Sequence, residues 1–256
     1  MSVPRYQAGT TTRDLKAGET LDDPLSDAKR QYEQQVEREL LGVWREFGRK
    51  FINALRQHPE TQAKGLVGDV LGLGLWGELS KRLTGVLLPR FEDMLGDASK
   101  HALEQLPFDI GVDRDAIHAD VADWARDYVG ELITGVNGTT KDRVRTAVAN
   151  WAEAGEAMPA LEKRMHDIFD AQWRAKMIAV TETTRAFAHA KEKTWKESRV
   201  VKKKRWQTAA DDRVCPICGP LQGVTRTLGS QFPGGLDNPP AHPRCRCWLT
   251  PVGDWD

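Results

Sequence analysis

The apolar positions between residues 25 and 59 recur every three or four places. In "LSDAKRQYEQQVERELLGVWREFGRKFINALRQHP" they are Tyr32, Val36, Leu40, Val43, Phe47, Phe51, Ala54 and Leu55, which predicts a long amphipathic helix, capped at Ser26 or Asp27 and ended before Pro59. The stretch that follows, to about residue 110, is helical in composition yet carries Gly65, Gly68, Gly72, Gly74, Gly77 and Gly85. Each interior glycine costs a helix roughly 1 kcal/mol relative to alanine, so these positions imply either notches for close helix packing or a segment that bends during assembly. After Asp113, the residues Ile117, Val121, Trp124, Tyr128 and Leu132 form one helical face, with a stop expected at Asn137 and Gly138 and a restart capped by Thr139 or Thr140. A last helical run is predicted from Pro159 through Ser198. Beyond it the periodicity changes: "RVVKKKRWQTA" is β-compatible, and "RCRCWLTPV" alternates like a short strand after loops rich in Gly and Pro.

This pattern divides the chain into an N-terminal arm (1–24) with few apolar anchors, a helical region (25–110), a second helical region (111–198) and a small irregular module (199–256). The arm is expected to be mobile or ordered on contact. The fold class is therefore mainly α, a long helical body followed by a small α+β module. At 256 residues the chain is long enough for a substantial core. Its 37 basic and 37 acidic residues cancel, so attraction to nucleic acid or an anionic membrane has to be local. Neither the first residues nor "LVGDVLGLGLWGELSKRLTGVLL", interrupted by Asp69, Glu78, Lys81 and Arg82, reads as a membrane span or an export signal. A reducing compartment is the expectation, and there paired cysteines bind metal more often than they form disulfides.

All four cysteines lie in the terminal module. Cys215 and Cys218 have the C-x-x-C spacing that lets one tight turn present two thiolates to an ion; His242, Cys245 and Cys247 form H-x-x-C-x-C. Tetrahedral Zn2+ takes four of these five. Either His242 binds with Cys215, Cys218 and Cys245, which is preferred, or all four cysteines bind and His242 stays outside. The segment between the pairs is poor in consecutive apolar residues, so a structural zinc site would staple the module by coupling ion binding to its folding. A zinc deaminase pattern fails here, because Lys191 stands where the proton-transferring acid would be. His58, His101, His118, His166 and His189 are read as surface or packing residues. From Lys191 to Arg205 eight basic residues face two acidic ones, Glu192 and Glu197. Lys196, Arg199, Lys202, Lys203, Lys204 and Arg205 are thus candidates for a phosphate-binding face; a solvated helix end explains the same run.

Three blocks carry a family likeness: "AVTETTRAFAHAKEKTWKES", "KKKRWQTAADDRVCPICGPLQGV" and "PPAHPRCRC". In this order they resemble the phage head morphogenesis domain, also called the phage Mu protein F-like minor head protein domain, over roughly residues 120 to 252. The resemblance implies a minor structural protein of a tailed phage or prophage acting in head assembly and DNA packaging. It further implies association with the portal, capsid or scaffold proteins and the packaged DNA. The location implied is the portal vertex of the virion, reached through the host cytoplasm, with several copies expected on one portal ring. Carried onto this chain, its ligand positions fall on Cys215, Cys218, His242, Cys245 and Cys247. Its other recurrent positions, Thr181, Glu182, Arg185, Trp206, Asp211 and Asp212, are expected to be structural, with Glu182 and Arg185 spaced to pair on a helix. No catalytic residue is implied. Two other readings are an enzyme acting on nucleic acid, with Asp211, Asp212 or His242 beside an open metal position, and a zinc-dependent DNA-binding regulator.

Overall fold

A computed structural model describes residues 23–57, 74–106, 114–209 and 214–253, without the side chains of 114–116 and 118. The arm up to residue 22, Gly65, Gly68, Gly72, His58, His118, Asp211 and Asp212 lie outside what is described. Among the described residues the chain is mainly α: helices α1 (Ser26–Arg56), α2 (Leu75–Glu104), α3 (Arg114–Ala154), α4 (Met158–Phe169) and α5 (Gln172–Ser198) precede strands β1 (Lys203–Gln207), β2 (Thr225–Thr227) and β3 (Trp248–Val252). The strands form one antiparallel sheet in the order β2-β1-β3.

Two compact units are each assembled from separated stretches of chain. The first takes residues 35–90 and 125–176. Its core is the apolar stripe of α1 against α2, α3 and α4: Leu40, Phe47, Phe51 and Leu55 meet Trp76, Leu79, Leu83, Val144 and Phe169, all buried. Phe47, Phe51, Trp76 and Phe169 form an aromatic cluster with centroids 5.0 to 6.1 Å apart, mostly tilted or edge-on, as ring quadrupoles prefer. Gly48 is the notch in this core, since a Cβ there would sit 2.8 Å from Cβ of Phe169. Gly74, Gly77 and Gly85, expected as notches or hinges, have open space where a Cβ would project. Ion pairs, Arg82–Glu46 and Lys50–Glu78 exposed and Arg90–Glu39 partly buried, run along the seam of α1 and α2.

α3 does not stop at Asn137 and Gly138. Asn137 is buried and donates through Nδ2 to Ser80 Oγ at 2.9 Å, while Thr140 Oγ1 bonds back to the Val136 carbonyl at 2.6 Å. Threonines expected to cap a new helix instead fold their hydroxyls onto the preceding turn, an arrangement open to mid-helix threonine. The buried Arg174 completes the knot: its guanidinium donates to Thr140 Oγ1, Thr139 Oγ1 and the Val136 carbonyl at 2.5 to 3.1 Å and lies over Trp44. The buried face of α3 is also turned from the expected one. Ile117, Val121, Ala125, Val129 and Ile133 face inward, while Trp124, Tyr128 and Leu132 sit half-buried beside them. The predicted run from Pro159 to Ser198 is broken at Asp170 and Ala171, where Asp170 turns aside to bond Arg45.

Among the described residues, the second unit draws on the stretches 23–34, 91–124 and 177–253. The start of α1 is held by Asp23, not Ser26 or Asp27: its carboxylate accepts from the Leu25 amide at 3.1 Å and from Lys29 Nζ at 3.1 Å. The sheet closes over α2 and α5 through one apolar cluster, Ala102, Leu106, Ala188, Trp195, Val201, Trp206, Leu221, Phe232 and Leu249, which also takes in Cys218, Cys245 and Cys247. The module thus draws on helical side chains for the core that its own loops lack.

Candidate metal centre

The C-x-x-C pair sits on a tight turn: the Cys218 and Gly219 amides bond the Cys215 carbonyl at 3.1 and 2.9 Å, and a short 3-10 turn (Gly219–Leu221) follows. That turn points the Cys218 amide at the Cys215 sulfur, 3.3 Å away. The second pair lies on the loop leading into β3, not on the strand itself. α5 fixes this loop from below. Thr184 Oγ1 donates to the Cys245 carbonyl at 3.1 Å, and the Arg244 amide donates to Thr181 Oγ1 at 3.0 Å. Both threonines belong to the T-E-T-T block, three apart and so on one helical face.

The five candidate ligands fall into two overlapping groups of three. Cys215, Cys218 and His242 form one group and Cys218, Cys245 and Cys247 another, the ligand atoms in each lying within 4.8 Å of one another, with Cys218 common to both. His242 Nε2 is 3.0 Å from Cys215 Sγ and 3.2 Å from Cys218 Sγ, and Cys218 Sγ is 3.7 Å from Cys245 Sγ. A tetrahedron with zinc–sulfur bonds of about 2.3 Å has sulfur–sulfur edges of about 3.8 Å. His242 is also held in the right tautomer, because Nδ1 lies 2.8 Å from the Pro243 carbonyl and donates there, leaving Nε2 to present its lone pair to the sulfurs. The four cysteines are not joined as disulfides.

The electrostatics are those of crowded sulfurs. Burial pushes the Cys218 thiol up to about 12, with the Cys245 charge adding to it. A bond from the Cys247 thiol brings Cys245 down to about 5, against its burial, and the same bond drives Cys247 upward. Burial opposes protonation of His242, but the Pro243 carbonyl and the Cys245 and Cys215 charges raise its affinity for a proton. Desolvation likewise opposes ionisation of Cys215, which the Cys218 amide and thiol overcome, so its pKa falls. Thiols this close ionise together only around a cation. The donor set, sulfur and imidazole with no carboxylate in either group, suits zinc.

The remaining predicted residues are placed as follows. Glu182 pairs with Arg185 at 3.1 Å, as their spacing implied. Trp206 is fully buried, edge-on to Phe232 at 5.1 Å. Arg199, Lys202 and Lys203 are exposed and Arg205 is half-buried. Lys204 is corrected: at 1% exposure it offers no charge to solvent. β1 alternates, turning Lys203 and Arg205 to one face and Lys204 and Trp206 to the other. Lys204 Nζ spends its donors on Glu192 Oε1 (2.9 Å), the Asp237 carbonyl (2.7 Å) and Asn238 Oδ1 (3.0 Å). Glu192 in turn accepts from the Gly229 amide and Asn238 Nδ2 at 2.7 and 2.6 Å, and Lys196 lies 3.5 Å from it. Sequence reasoning missed this knot, which ties α5 to the loop between β2 and the ligand loop. Its one legible sign is Glu192, an acid inside a basic run. His189 stacks on Trp124 at 4.0 Å, and burial brings its pKa down to about 4, in keeping with a packing role.

Residues 142–250 match the family described as Phage Mu protein F like protein, which meets the resemblance drawn from the three sequence blocks. An uncharacterized protein of Bacillus subtilis (strain 168), YqbB, is 24% identical over 250 residues, covering 87% of this chain and 79% of that protein. No solved structure matches the chain. Among the described residues no helix is long and apolar enough to cross a membrane.

Proposed function

We propose, from the premise that residues 142–250 carry the Phage Mu protein F like pattern, that this chain is a structural head morphogenesis protein of a tailed phage or prophage. It acts during capsid assembly and DNA packaging at the portal vertex, in several copies on the portal ring. It is made in the host cytoplasm, contacts portal and capsid or scaffold proteins, and ends in the virion. The observation that carries the reading is the convergence of Cys215, Cys218, His242, Cys245 and Cys247 within the matched stretch. Zinc held there supplies a cross-link between the 215–218 turn and the 242–247 loop, with no position left for a reacting water. The ligands are Cys215, Cys218, His242 and Cys245. Cys247 stays a buried thiol in the apolar cluster. The role is architectural, and Arg199, Lys202 and Lys203 are the exposed cations through which the module meets packaged DNA.

Metal analysis of the purified chain tests the site. One equivalent of zinc, and a cobalt-substituted sample with the absorption of a thiolate-rich tetrahedron, are expected. Cys245→Ser should lose the metal while Cys247→Ser keeps it. A metal-free chain, or a cobalt spectrum showing an exchangeable water, would remove the architectural reading. Locating the protein in intact particles tests the vertex: signal spread evenly over the shell contradicts it. Replacing Lys202 and Lys203 with glutamate should flatten the salt dependence of DNA binding, and an unchanged slope excludes that face.

A further inference from the structure

Trp173 is 56% exposed at the start of α5, an unusual place for the largest apolar side chain. The Arg143 guanidinium lies over its ring, 5.2 Å from the centroid, a contact that favours this orientation of the indole. One turn further along α5, Lys176 is exposed on the same side. Directly after Trp173, Arg174 is 4% exposed and meets only hydroxyls, a carbonyl and the Trp44 ring. Two exposed cations, Arg143 and Lys176, thus share this unit with Trp173, while Arg174 is buried against Trp44.

Several carboxylates nearby in sequence are engaged elsewhere. Asp142 pairs with Arg145, Asp170 with Arg45, Glu156 with Arg164 and Glu162 with Arg56. Among the described residues, Arg143, Arg174 and Lys176 form no ion pair. The positive charge of Arg174 is buried without an ion-pair partner, and the charge that acts on it, Arg143, is of the same sign. Burial on this scale ordinarily comes with a compensating acid.

We infer that the Trp173–Arg143–Lys176 surface is the docking site for an acidic segment of a partner protein, one that sets a carboxylate against Arg143 and Lys176 and an apolar side chain on Trp173. Charge complementarity points to the acid. Tryptophan and arginine are the residue types that dominate interface hot spots, and here both are pre-ordered by each other. A nucleic acid is the poorer fit. Phosphate binding draws affinity from a track of many cations, whereas this patch is compact and offers two exposed ones, Arg143 and Lys176. The inference is independent of the metal centre, which lies in the other unit.

The test uses the full chain and a fluorescein-labelled hexapeptide of alternating glutamate and leucine, followed by fluorescence anisotropy. Wild type should bind it, more weakly as salt rises. Trp173→Ala, Arg143→Glu and Lys176→Glu should each bind at least tenfold more weakly, with unchanged helical circular dichroism. Lys202→Glu with Lys203→Glu, on the other unit, should bind as wild type does. Equal binding by wild type and the three variants overturns the proposal, as does no binding by wild type at roughly millimolar peptide. A short oligothymidylate that binds more tightly than the peptide and is lost with Trp173→Ala overturns it too, by assigning the patch to nucleic acid.

Discussion

Two lysines show how differently a buried cation can be accommodated. Lys204 has every donor filled and an acid partner in Glu192; Lys191 is fully buried with one long bond to the Leu249 carbonyl at 3.4 Å. Burial lowers the Lys191 pKa from 10.5 to about 8, although Asp23 pulls it upward. Because the unfolded chain holds this proton more tightly, stability rises as pH climbs from about 8 to 10.5 and carries the full penalty at neutral pH. Lys191→Met should therefore raise stability at pH 7 by about 1–3 kcal/mol and flatten the alkaline part of a melting-temperature profile. A lower melting temperature would show that its attraction to Asp23 outweighs desolvation. Glu192→Gln should do the reverse, costing about 3–5 kcal/mol by leaving Lys204 buried beside a neutral amide; denaturant titration reads it directly. The double change to Glu192→Leu and Lys204→Met should cost less than the single one. The five candidate ligands were legible because their residue types and spacing carry the chemistry. The fates of Lys191 and Lys204 were not, since a run of charges reads the same whether alternate members face water or core.

At the scale of elements, α1 follows directly from the apolar period of its sequence, β1 was legible only as a β-compatible stretch and β3 starts after the alternating cysteines with four successive buried residues, and the errors among the helices sit where polar side chains overrule local preference. Asn137, Gly138, Thr139 and Thr140 spell a helix end, yet α3 passes through them because Ser80 and Arg174 satisfy their polar groups from neighbouring helices. Arg174→Lys should weaken this passage, because an ammonium cannot reproduce the planar fork across three acceptors. A loss of about 2–3 kcal/mol is expected, with faster hydrogen exchange confined to the middle of α3. Uniform exchange along the helix would show that the knot is not what carries α3 through. Gly48→Ala tests the close approach of α1 and α4: with Phe169 2.8 Å from the new carbon, about 1–3 kcal/mol should be lost, whereas Gly85→Ala in open space should stabilise α2 slightly.

For the whole molecule, the apolar cluster under the sheet changes what removal of the proposed zinc should do. Were the module held by an ion alone, chelation would melt it entirely; with Trp195, Trp206, Phe232 and Leu249 packed together, part of its stability is independent of the ion. A chelator should therefore lower the melting temperature and expose residues 214–224 and 241–247 to protease, while the Trp206 region stays protected. Cleavage throughout 199–253 would contradict this. No reading of consecutive residues reveals that each unit is built from separated stretches of chain, because periodicity reports which face of a helix is buried and not which distant stretch buries it. That alternation along the chain also imposes an order on biosynthesis. One unit draws on residues 35–90 and 125–176, so its parts have all left the ribosome while the other still waits for β3, residues 248–252, to lie beside β1. Completion of the second unit is thus the later event: stalled nascent chains ending near residue 240 should bury Trp44 but leave Trp195 accessible to quencher.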